Sequence, residues 1–390
     1  MGNLIDVLFK LIRSAIGFDE KFSQEDHVLI KEKLKTLYEL SRKHDIAHLV
    51  GFAIISNDII DKETFLEFYN KFNQSQILAV YRGEKNSYVF DEISKTLEDY
   101  GIEFVPLKGA VLRKYYPQKW MRTSCDIDIL VHNEDIERAS DLLCLNSNCI
   151  KEKNSTFHDC ALTFDDVHLE LHYTLRQDGK LPKTDKILDN IWKFSSNKNG
   201  CLYEKELSNE AFMFYHLAHM AKHFLIGGCG VRSFIDLQVM FQKMEFANDS
   251  LIEMLKESDL YTFYQSVLNL SSVWFNKKEH SELTKSMEKF VLTGGVYGTT
   301  RNSVAVKSGK GESKAKSLLN IIFLNRERLE IIYPNLKKHP SLFLFYQVKR
   351  WFNIFNKGKR KKLQNIIKAN NEVDKNEIKS VGDMIEKLGL

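Results

Sequence analysis

The segment Cys125-Asp126-Ile127-Asp128-Ile129-Leu130-Val131 carries most of the information about fold and function in this 390-residue chain. Apolar residues alternate with two acids, which predicts a β-strand with Asp126 and Asp128 on one face and branched apolar residues on the other. Two carboxylates about 4 Å apart repel by roughly 4 kcal/mol at an effective dielectric constant near 20. A divalent cation between them removes that cost, and Mg²⁺ or Mn²⁺ prefers oxygen ligands. The segment therefore predicts a metal-binding strand, with two solvated acids on an edge strand as the alternative.

A second strand of the same kind follows at Val167-His168-Leu169-Glu170-Leu171-His172. The alternation places His168, Glu170 and His172 together, opposite the apolar residues. Glu170 then supplies a third carboxylate, and three carboxylates on neighbouring strands can hold two metal ions about 3.5–4 Å apart. The alternative for Glu170 is an exposed strand residue without a ligand.

Upstream of both strands lies Pro106-Leu107-Lys108-Gly109-Ala110, at a predicted junction between a strand and a helix. Glycine at such a junction lets the backbone approach an anion, and Lys108 adds a positive charge. Arg122 and Ser124 stand just before the first acidic strand, where a guanidinium can bind a triphosphate through two hydrogen bonds. These residues predict a phosphate-binding surface beside the carboxylates.

Taken in order, these motifs resemble the nucleotidyltransferase superfamily typified by DNA polymerase β. They are most similar to an uncharacterised bacterial nucleotidyltransferase family, related to nucleotidyltransferase toxins of the abortive-infection type. The resemblance implies that Gly109 is the turn glycine, that Asp126 and Asp128 bind Mg²⁺ or Mn²⁺, and that Glu170 is the third ligand. It extends over nearly all of the chain, as far as Tyr333-Pro334. Two departures concern how the triphosphate is held: Ala110 replaces the usual Ser, and the spacer between the turn and the acidic strand is long.

A second group of polar residues follows the predicted sheet. His216, His219 and His223 are three and four residues apart and share one helix face, as in a metal site or, the reading we favour, a seam of stacked histidines. Arg232 and Asp236 have the spacing of an ion pair on a helix surface. The resemblance instead implies that Arg232 binds phosphate and that Asp236 orients it.

The arrangement of predicted elements indicates a mostly helical α+β protein with a small mixed sheet. Only five prolines occur, and helical periodicity dominates on both sides of the sheet. The predicted regions are a helical N-terminal region (1–100), the catalytic core (101–180), a helical domain (181–293), a mobile loop (294–314) and a basic helical C-terminal region (315–390).

Charge is distributed unevenly along the chain, although the net charge is only +4. Residues 301–390 contain 20 Lys and Arg against 8 Asp and Glu, whereas the remainder has a net charge of −8. The run Lys357–Lys362, preceded by Trp351, Phe352 and Phe355, is typical of an RNA contact or of a solvated basic helix face. Six cysteines without a C-x-x-C pair, no secretory signal and no long apolar run predict a cytoplasmic protein without a membrane span.

The function that these features predict is metal-dependent transfer of NMP from an NTP to an acceptor, with release of pyrophosphate. The acceptor is left open between a small molecule, a protein and tRNA, and the oligomeric state is not predicted. One alternative is a toxin-like transferase acting on tRNA. Another is a helical binding protein whose site has lost activity, which Ala110 keeps open because the phosphate turn lacks a hydroxyl.

Overall fold

A small mixed sheet enclosed by helices forms the centre of the protein, which confirms the mostly helical α+β prediction. The computed structural model describes residues 2–147, 149–152, 159–177, 179–313, 319, 323–324, 326, 329–330, 333, 335–354, 364, 367–369 and 371–390. None of the helices in these residues is long and apolar enough to cross a membrane.

The helices of the described residues lie before, between and after the strands. They are α1 (Gly2–Ala15), α2 (Gln24–Glu32), α3 (Leu34–Lys43), α4 (Ala47–Ser56), α5 (Leu66–Asp99), α6 (Lys108–Leu112), α7 (Ile136–Asn146), α8 (Pro182–Leu188), α9 (Asn209–Ile226), α10 (Val231–Lys243), α11 (Asn248–Glu257), α12 (Tyr261–Asn276), α13 (Glu282–Gly294), α14 (Thr300–Gly309), α15 (Asn335–Lys338), α16 (Phe343–Ile354) and α17 (Lys375–Lys387).

The main sheet of the described residues has five strands in the order β1-β2-β5-β4-β3. These are β1 (Phe104–Pro106), β2 (Asp126–Val131), β3 (Cys149–Lys151), β4 (Asp159–Phe164) and β5 (Val167–His172). The pair β2 and β5 is parallel, whereas the other pairs are antiparallel. A separate two-stranded sheet joins β6 (Ser195–Asn197) to β7 (Lys205–Leu207).

The predicted alternation along β2 is confirmed. Ile127, Ile129 and Val131 are buried in a core formed with α5, α7 and the apolar residues of β5. Leu130, on the opposite face, joins the larger core of the surrounding helices. The sheet therefore lies between two hydrophobic cores, and the acids of β2 point toward the side of the larger one.

Several predicted element boundaries were wrong. Within the helical region predicted over 1–100, Lys33 separates α2 from α3, and α5 is the longest helix of the described residues. The strand β3 and the β6–β7 hairpin were not predicted. The segment 294–314, predicted as a loop, contains α14, which begins at the N-cap Thr299.

The structure describes only part of the predicted C-terminal region. Lys357–Lys362 and Phe355 lie outside the described residues, as does Pro334. The division of the chain into five regions, and the mobility of 294–314, stay predictions.

Candidate active site

The parallel pairing of β2 with β5 brings the predicted acids together. Asp128 lies opposite Glu170, and Asp126 lies opposite His168, two residues further along the same face. His172 lies one step beyond Glu170 on this face. Three carboxylates and two imidazoles therefore share one side of two adjacent strands.

Asp128 is the most deeply buried of these acids, with 2% of its surface exposed. Its Oδ1 accepts hydrogen bonds from Lys108 Nζ at 2.5 Å and from His172 Nε2 at 2.8 Å. Burial by itself would raise the pKa of Asp128, but the two neighbouring cationic groups outweigh burial and lower the pKa below its usual range. Asp128 is consequently ionised and paired.

Asp126 has the opposite electrostatic environment. Burial raises its pKa, and the negative charges of Asp128 and Glu170 raise the pKa further. Lys108 and Arg232 oppose the shift without reversing it. No hydrogen bond or ion pair joins the Asp126 carboxylate to another described residue. The site thus contains one carboxylate whose negative charge lacks a direct partner.

Glu170 and the two histidines of β5 form a chain of contacts. Glu170 Oε2 lies 3.3 Å from His172 Nε2, and Glu170 Oε1 lies 3.4 Å from His168 Nε2. The hydrogen bond from His172 lowers the pKa of Glu170. Burial opposes protonation of His172, but hydrogen bonds to Asp128 and Glu170 raise its pKa above the usual value. His168 is held from its other side by Glu152, at 2.7 Å.

The side chains of Asp128, Glu170 and His172 offer ligand atoms that all lie within 4.8 Å of one another. Two carboxylates and an imidazole suit a divalent cation such as Mn²⁺, while Mg²⁺ favours the oxygens. In the present arrangement the ammonium of Lys108 already contacts Asp128, so a positive charge stands where a cation is expected. The sequence analysis placed His172 on this face but did not identify it as a ligand, since imidazole was not part of the expected carboxylate set.

Lys108 and Gly109 are held tightly at the start of α6. Lys108 has a positive φ of 42°, an uncommon backbone conformation for a residue with a side chain. Gly109 is buried, and a Cβ atom there would lie 3.0 Å from Ser124 Oγ. Gly109 therefore allows close packing against the loop before β2.

With this geometry in place, the comparison with known proteins is informative. Residues 31–276, more than half of the chain, match a family described as "uncharacterised nucleotidyltransferase". The chain belongs to this nucleotidyltransferase family. The match ends before α13, short of the predicted extent to Tyr333-Pro334, and the relation to abortive-infection toxins and the bacterial origin stay predictions.

The solution structure of the antibiotic-resistance factor ANT(2'')-Ia is similar with a TM-score of 0.34 and 8% sequence identity, over 48% of this chain and 96% of that one. No protein of curated function matches the sequence significantly.

Within the matched nucleotidyltransferase region, Arg122 and Asp236 are brought together although 114 residues separate them. Arg122 Nε donates to Asp236 Oδ1 at 2.6 Å, and the Tyr116 hydroxyl donates to the same oxygen at 2.7 Å. All three side chains are buried. The ion pair expected between Arg232 and Asp236 was therefore wrong, because Asp236 pairs with Arg122 inside the protein.

Arg232 instead contacts the loops on either side of it. Its Nη1 donates to Asp45 Oδ2 at 2.9 Å and to the Thr123 carbonyl at 3.3 Å. Because its positive charge also opposes the upward pKa shift of Asp126, the guanidinium lies within electrostatic range of the acidic strand. Arg232 thus remains close to the candidate site.

Ser124 is buried and fully engaged with the protein. Its Oγ accepts hydrogen bonds from Asn86 Nδ2 and Arg113 Nη2, both at 3.2 Å. Arg113 also donates to the Gly109 carbonyl at 3.0 Å, so the turn and the loop before β2 are fastened to each other. Ser124 holds the loop in place in this arrangement.

The histidines of α9 are not stacked as predicted, because the rings of His219 and His223 meet edge to face with their centroids 4.4 Å apart. His219 and His223 share a hydrogen bond between their Nε2 atoms at 2.9 Å, and His216 contacts the Ser233 carbonyl at 2.9 Å. Burial lowers the pKa of His223 to about 4 and lowers that of His219 well below its usual value. Both rings are therefore neutral near pH 7.

Proposed function

We propose that this protein transfers NMP from an NTP to an acceptor, with release of pyrophosphate, and that Asp126, Asp128 and Glu170 are the catalytic carboxylates. The observation that carries this proposal is the β2–β5 register, which sets Asp128 beside Glu170 with Asp126 on the same face. Membership of a nucleotidyltransferase family supports the class of reaction.

The residues present fit a divalent metal, because Asp128, Glu170 and His172 offer ligand atoms within 4.8 Å of one another, and Asp126 lies on the same face of the sheet without a compensating contact. Asp126, Asp128 and Glu170, with His172 beside them, would hold Mg²⁺ or Mn²⁺. When bound, such a metal supplies positive charge to the phosphates and lowers the pKa of the attacking hydroxyl.

The protein's own groups orient the reactants and balance the charge. The acceptor hydroxyl loses its proton, its oxygen bonds to the α-phosphorus, and the bond from this phosphorus to the bridging oxygen breaks to release pyrophosphate. Asp126 is suited to receive the proton, since no other described residue donates a hydrogen bond to its carboxylate. Lys108 is suited to pair with the leaving pyrophosphate, as its ammonium lies within the acidic cluster.

The remaining predicted nucleotide-binding residues divide into two groups. Arg232, which is partly exposed and pairs with Asp45 in this arrangement, is proposed to contact phosphate together with Lys108. Gly109, Arg122, Ser124 and Asp236 are buried in contacts with one another or with neighbouring side chains. We propose that this second group holds the loop that presents Lys108 and Asp126.

A thermal-shift and transfer experiment tests the proposal. Each labelled NTP is incubated with the protein, Mg²⁺ and cell extract, and the products are examined for label. Mg²⁺ with an NTP should raise the melting temperature of the native protein by mass action, and much less so for Asp126→Ala/Asp128→Ala. Asp91→Asn, an exposed acid on α5, is the matched control and should behave as the native protein. Equal shifts in all three proteins would refute the metal assignment.

The same experiment separates the alternatives. A silent binding protein would show an NTP-dependent thermal shift without any labelled product. A tRNA-directed transferase would place the label on tRNA, whereas a small-molecule or protein acceptor would place it elsewhere.

A further inference from the structure

A pocket of about 310 Å³ lies between α3, α4, α5 and the loop that leads into β2. Arg42 of α3 and two α5 residues, Lys71 and Arg82, contribute three positive charges to its lining. Thr123 closes the pocket on the side of β2. The catalytic proposal uses none of these side chains.

The two arginines are available to a ligand. Arg42 and Arg82 are exposed, and neither donates a hydrogen bond or forms an ion pair with another described residue. Lys71 pairs with Glu67, but this exposed pair between neighbouring helix turns contributes little stability and can be exchanged for a stronger anion. The cationic wall is therefore mostly uncompensated.

The lining contains one carboxylate, Asp45, whose charge is already neutralised. Arg232 Nη1 lies 2.9 Å from Asp45 Oδ2, and the Thr123 hydroxyl donates to the same oxygen at 3.1 Å. His48, which also lines the pocket, is buried against the Met121 carbonyl, and burial lowers its pKa. The pocket thus presents a net positive surface to an incoming group.

Two of the pocket's lining residues, Thr123 and Asp45, connect it to the candidate active site. Thr123 lies three positions before Asp126, and Arg232 reaches from Asp45 into the electrostatic surroundings of Asp126. A molecule anchored at Arg42 and Arg82 is therefore held beside Thr123, three residues before Asp126.

Resting on the proposed function, we infer that this pocket binds a phosphomonoester group of a small-molecule acceptor whose hydroxyl receives the NMP. Paired arginines suit phosphate because each guanidinium offers a planar fork of donors. A volume of about 310 Å³ lies at the lower end of the range for small-molecule sites, about 300–1,000 Å³.

The charge of α5 argues against a long polyanion at the same place. Helix α5 carries six acids and four bases, so the helix as a whole is negative, and two of its bases, Lys71 and Arg82, line the pocket. Nucleic-acid binding needs an extended basic surface that neutralises successive phosphates. A compact phosphate ester requires only the local cluster.

Calorimetric titration of the full chain with ribose 5-phosphate, and with ribose as the neutral counterpart, tests the inference. Ribose 5-phosphate should bind, ribose should not, and Arg42→Gln/Arg82→Gln should weaken the binding at least tenfold. Because both arginines are exposed, the melting temperature of this variant should stay close to the native value. The control Lys62→Gln/Lys95→Gln removes two exposed positive charges before and within α5, outside the pocket, and should leave binding unchanged.

Titration with Mg²⁺ and each NTP distinguishes this inference from the proposed function. Undiminished NTP binding by Arg42→Gln/Arg82→Gln supports a separate acceptor site. An equal loss of NTP affinity would assign the pocket to the donor phosphates and overturn the inference, as would unchanged affinity for ribose 5-phosphate. Stronger, arginine-dependent binding of a 5'-phosphorylated RNA oligonucleotide would also overturn it, in favour of a nucleic-acid acceptor. If no NTP binds to the native protein, the proposed function fails, and with it the acceptor role, even where arginine-dependent phosphate binding is measured.

Discussion

Two buried charged clusters lie near each other in this protein and differ in how their charges are balanced. In the first, Arg122 and Tyr116 both donate to Asp236, so one acid faces one permanent cation and a hydroxyl. In the second, Asp126, Asp128 and Glu170 share Lys108 and the imidazole of His172. The charges of the first cluster are balanced within it, whereas the second cluster has an excess of negative charge.

The difference teaches how to separate structural from chemical roles among charged residues. Asp236, which faces one cation and one hydroxyl, has no uncompensated charge with which to bind a further cation. An acid whose pKa is raised by its neighbours gains free energy when an additional cation arrives. The balance of charge, rather than burial alone, therefore singles out Asp126.

The largest expected effect comes from removing that excess charge. Asp126→Asn should lower the rate of NMP transfer by about 10³- to 10⁴-fold, because a metal ligand that contributes several kcal/mol is lost. The same change should raise the melting temperature, since it removes repulsion from Asp128 and Glu170. Transfer assays and calorimetry measure the two effects. If Asp126→Asn lowers the melting temperature as well as the rate of transfer, then Asp126 stabilises the fold as Asp236 does. The proposed contrast between the two clusters would then be wrong.

The complementary change in the first cluster is Asp236→Asn. It leaves the Arg122 guanidinium buried without its carboxylate, which should cost about 3–5 kcal/mol in the free energy of unfolding. Chemical denaturation of this variant and of Asp91→Asn gives the comparison. A cost below about 1 kcal/mol would show that water or another acid reaches Arg122.

Glu170→Gln tests the third acid while keeping its size. Transfer should fall about 10²- to 10³-fold, because the change removes a charge from the cluster but retains hydrogen bonding to His172. The melting temperature should change little. Activity within a few-fold of the native rate would leave Asp126 and Asp128 without a third carboxylate.

His44 is a buried imidazole whose pKa is not raised by any neighbouring acid, so it differs from both clusters. It is fully buried, and burial lowers its pKa to about 4 although the Leu292 carbonyl lies within hydrogen-bonding distance. The unfolded chain, with a pKa near 6.5, binds the proton first, so stability should fall as the pH drops from about 6.5 toward 4. The full effect is roughly 3 kcal/mol. Urea titrations of the native protein and His44→Gln at several pH values should show a weaker pH dependence in the variant.

The smallest expected effect is steric. Gly109→Ala places a Cβ atom 3.0 Å from Ser124 Oγ and should cost about 1 kcal/mol, since Ser124 is fixed by Asn86 and Arg113. Thermal denaturation checks this, with Ser124→Ala in the same background relieving part of the cost. Full stability of the single variant would show that the loop moves freely.

The local features of the site were predictable from the sequence, and the long-range ones were not. The alternation in β2 depends only on neighbouring residues, so it predicted which side chains share a face. The pairing of Arg122 with Asp236 depends on how α10 packs against the loop before β2, which no local pattern encodes. The strand order that puts β5 between β2 and β4 likewise follows from no local pattern, although Glu170 was expected on a strand neighbouring the two aspartates.

Helix α14 shows why a composition-based prediction was wrong. Its Ser, Asn and Gly residues have low intrinsic helix propensity. The structure compensates through the Thr299 N-cap and through close packing on α17, where Gly309 and Gly382 let the two backbones meet. Tertiary contacts of this kind are absent from any single window of sequence.

Helix α5 has a consequence for how the protein denatures. Its 34 residues run about 50 Å without interruption, and Phe72 lies in the larger core while Val89, Ile93 and Leu97 lie in the smaller one. If either core unfolds, one part of α5 is exposed to solvent. The other part of α5 then loses the adjacent helix turns that stabilise it. The two cores should consequently lose structure in a single cooperative transition, with fluorescence and circular dichroism reporting the same midpoint.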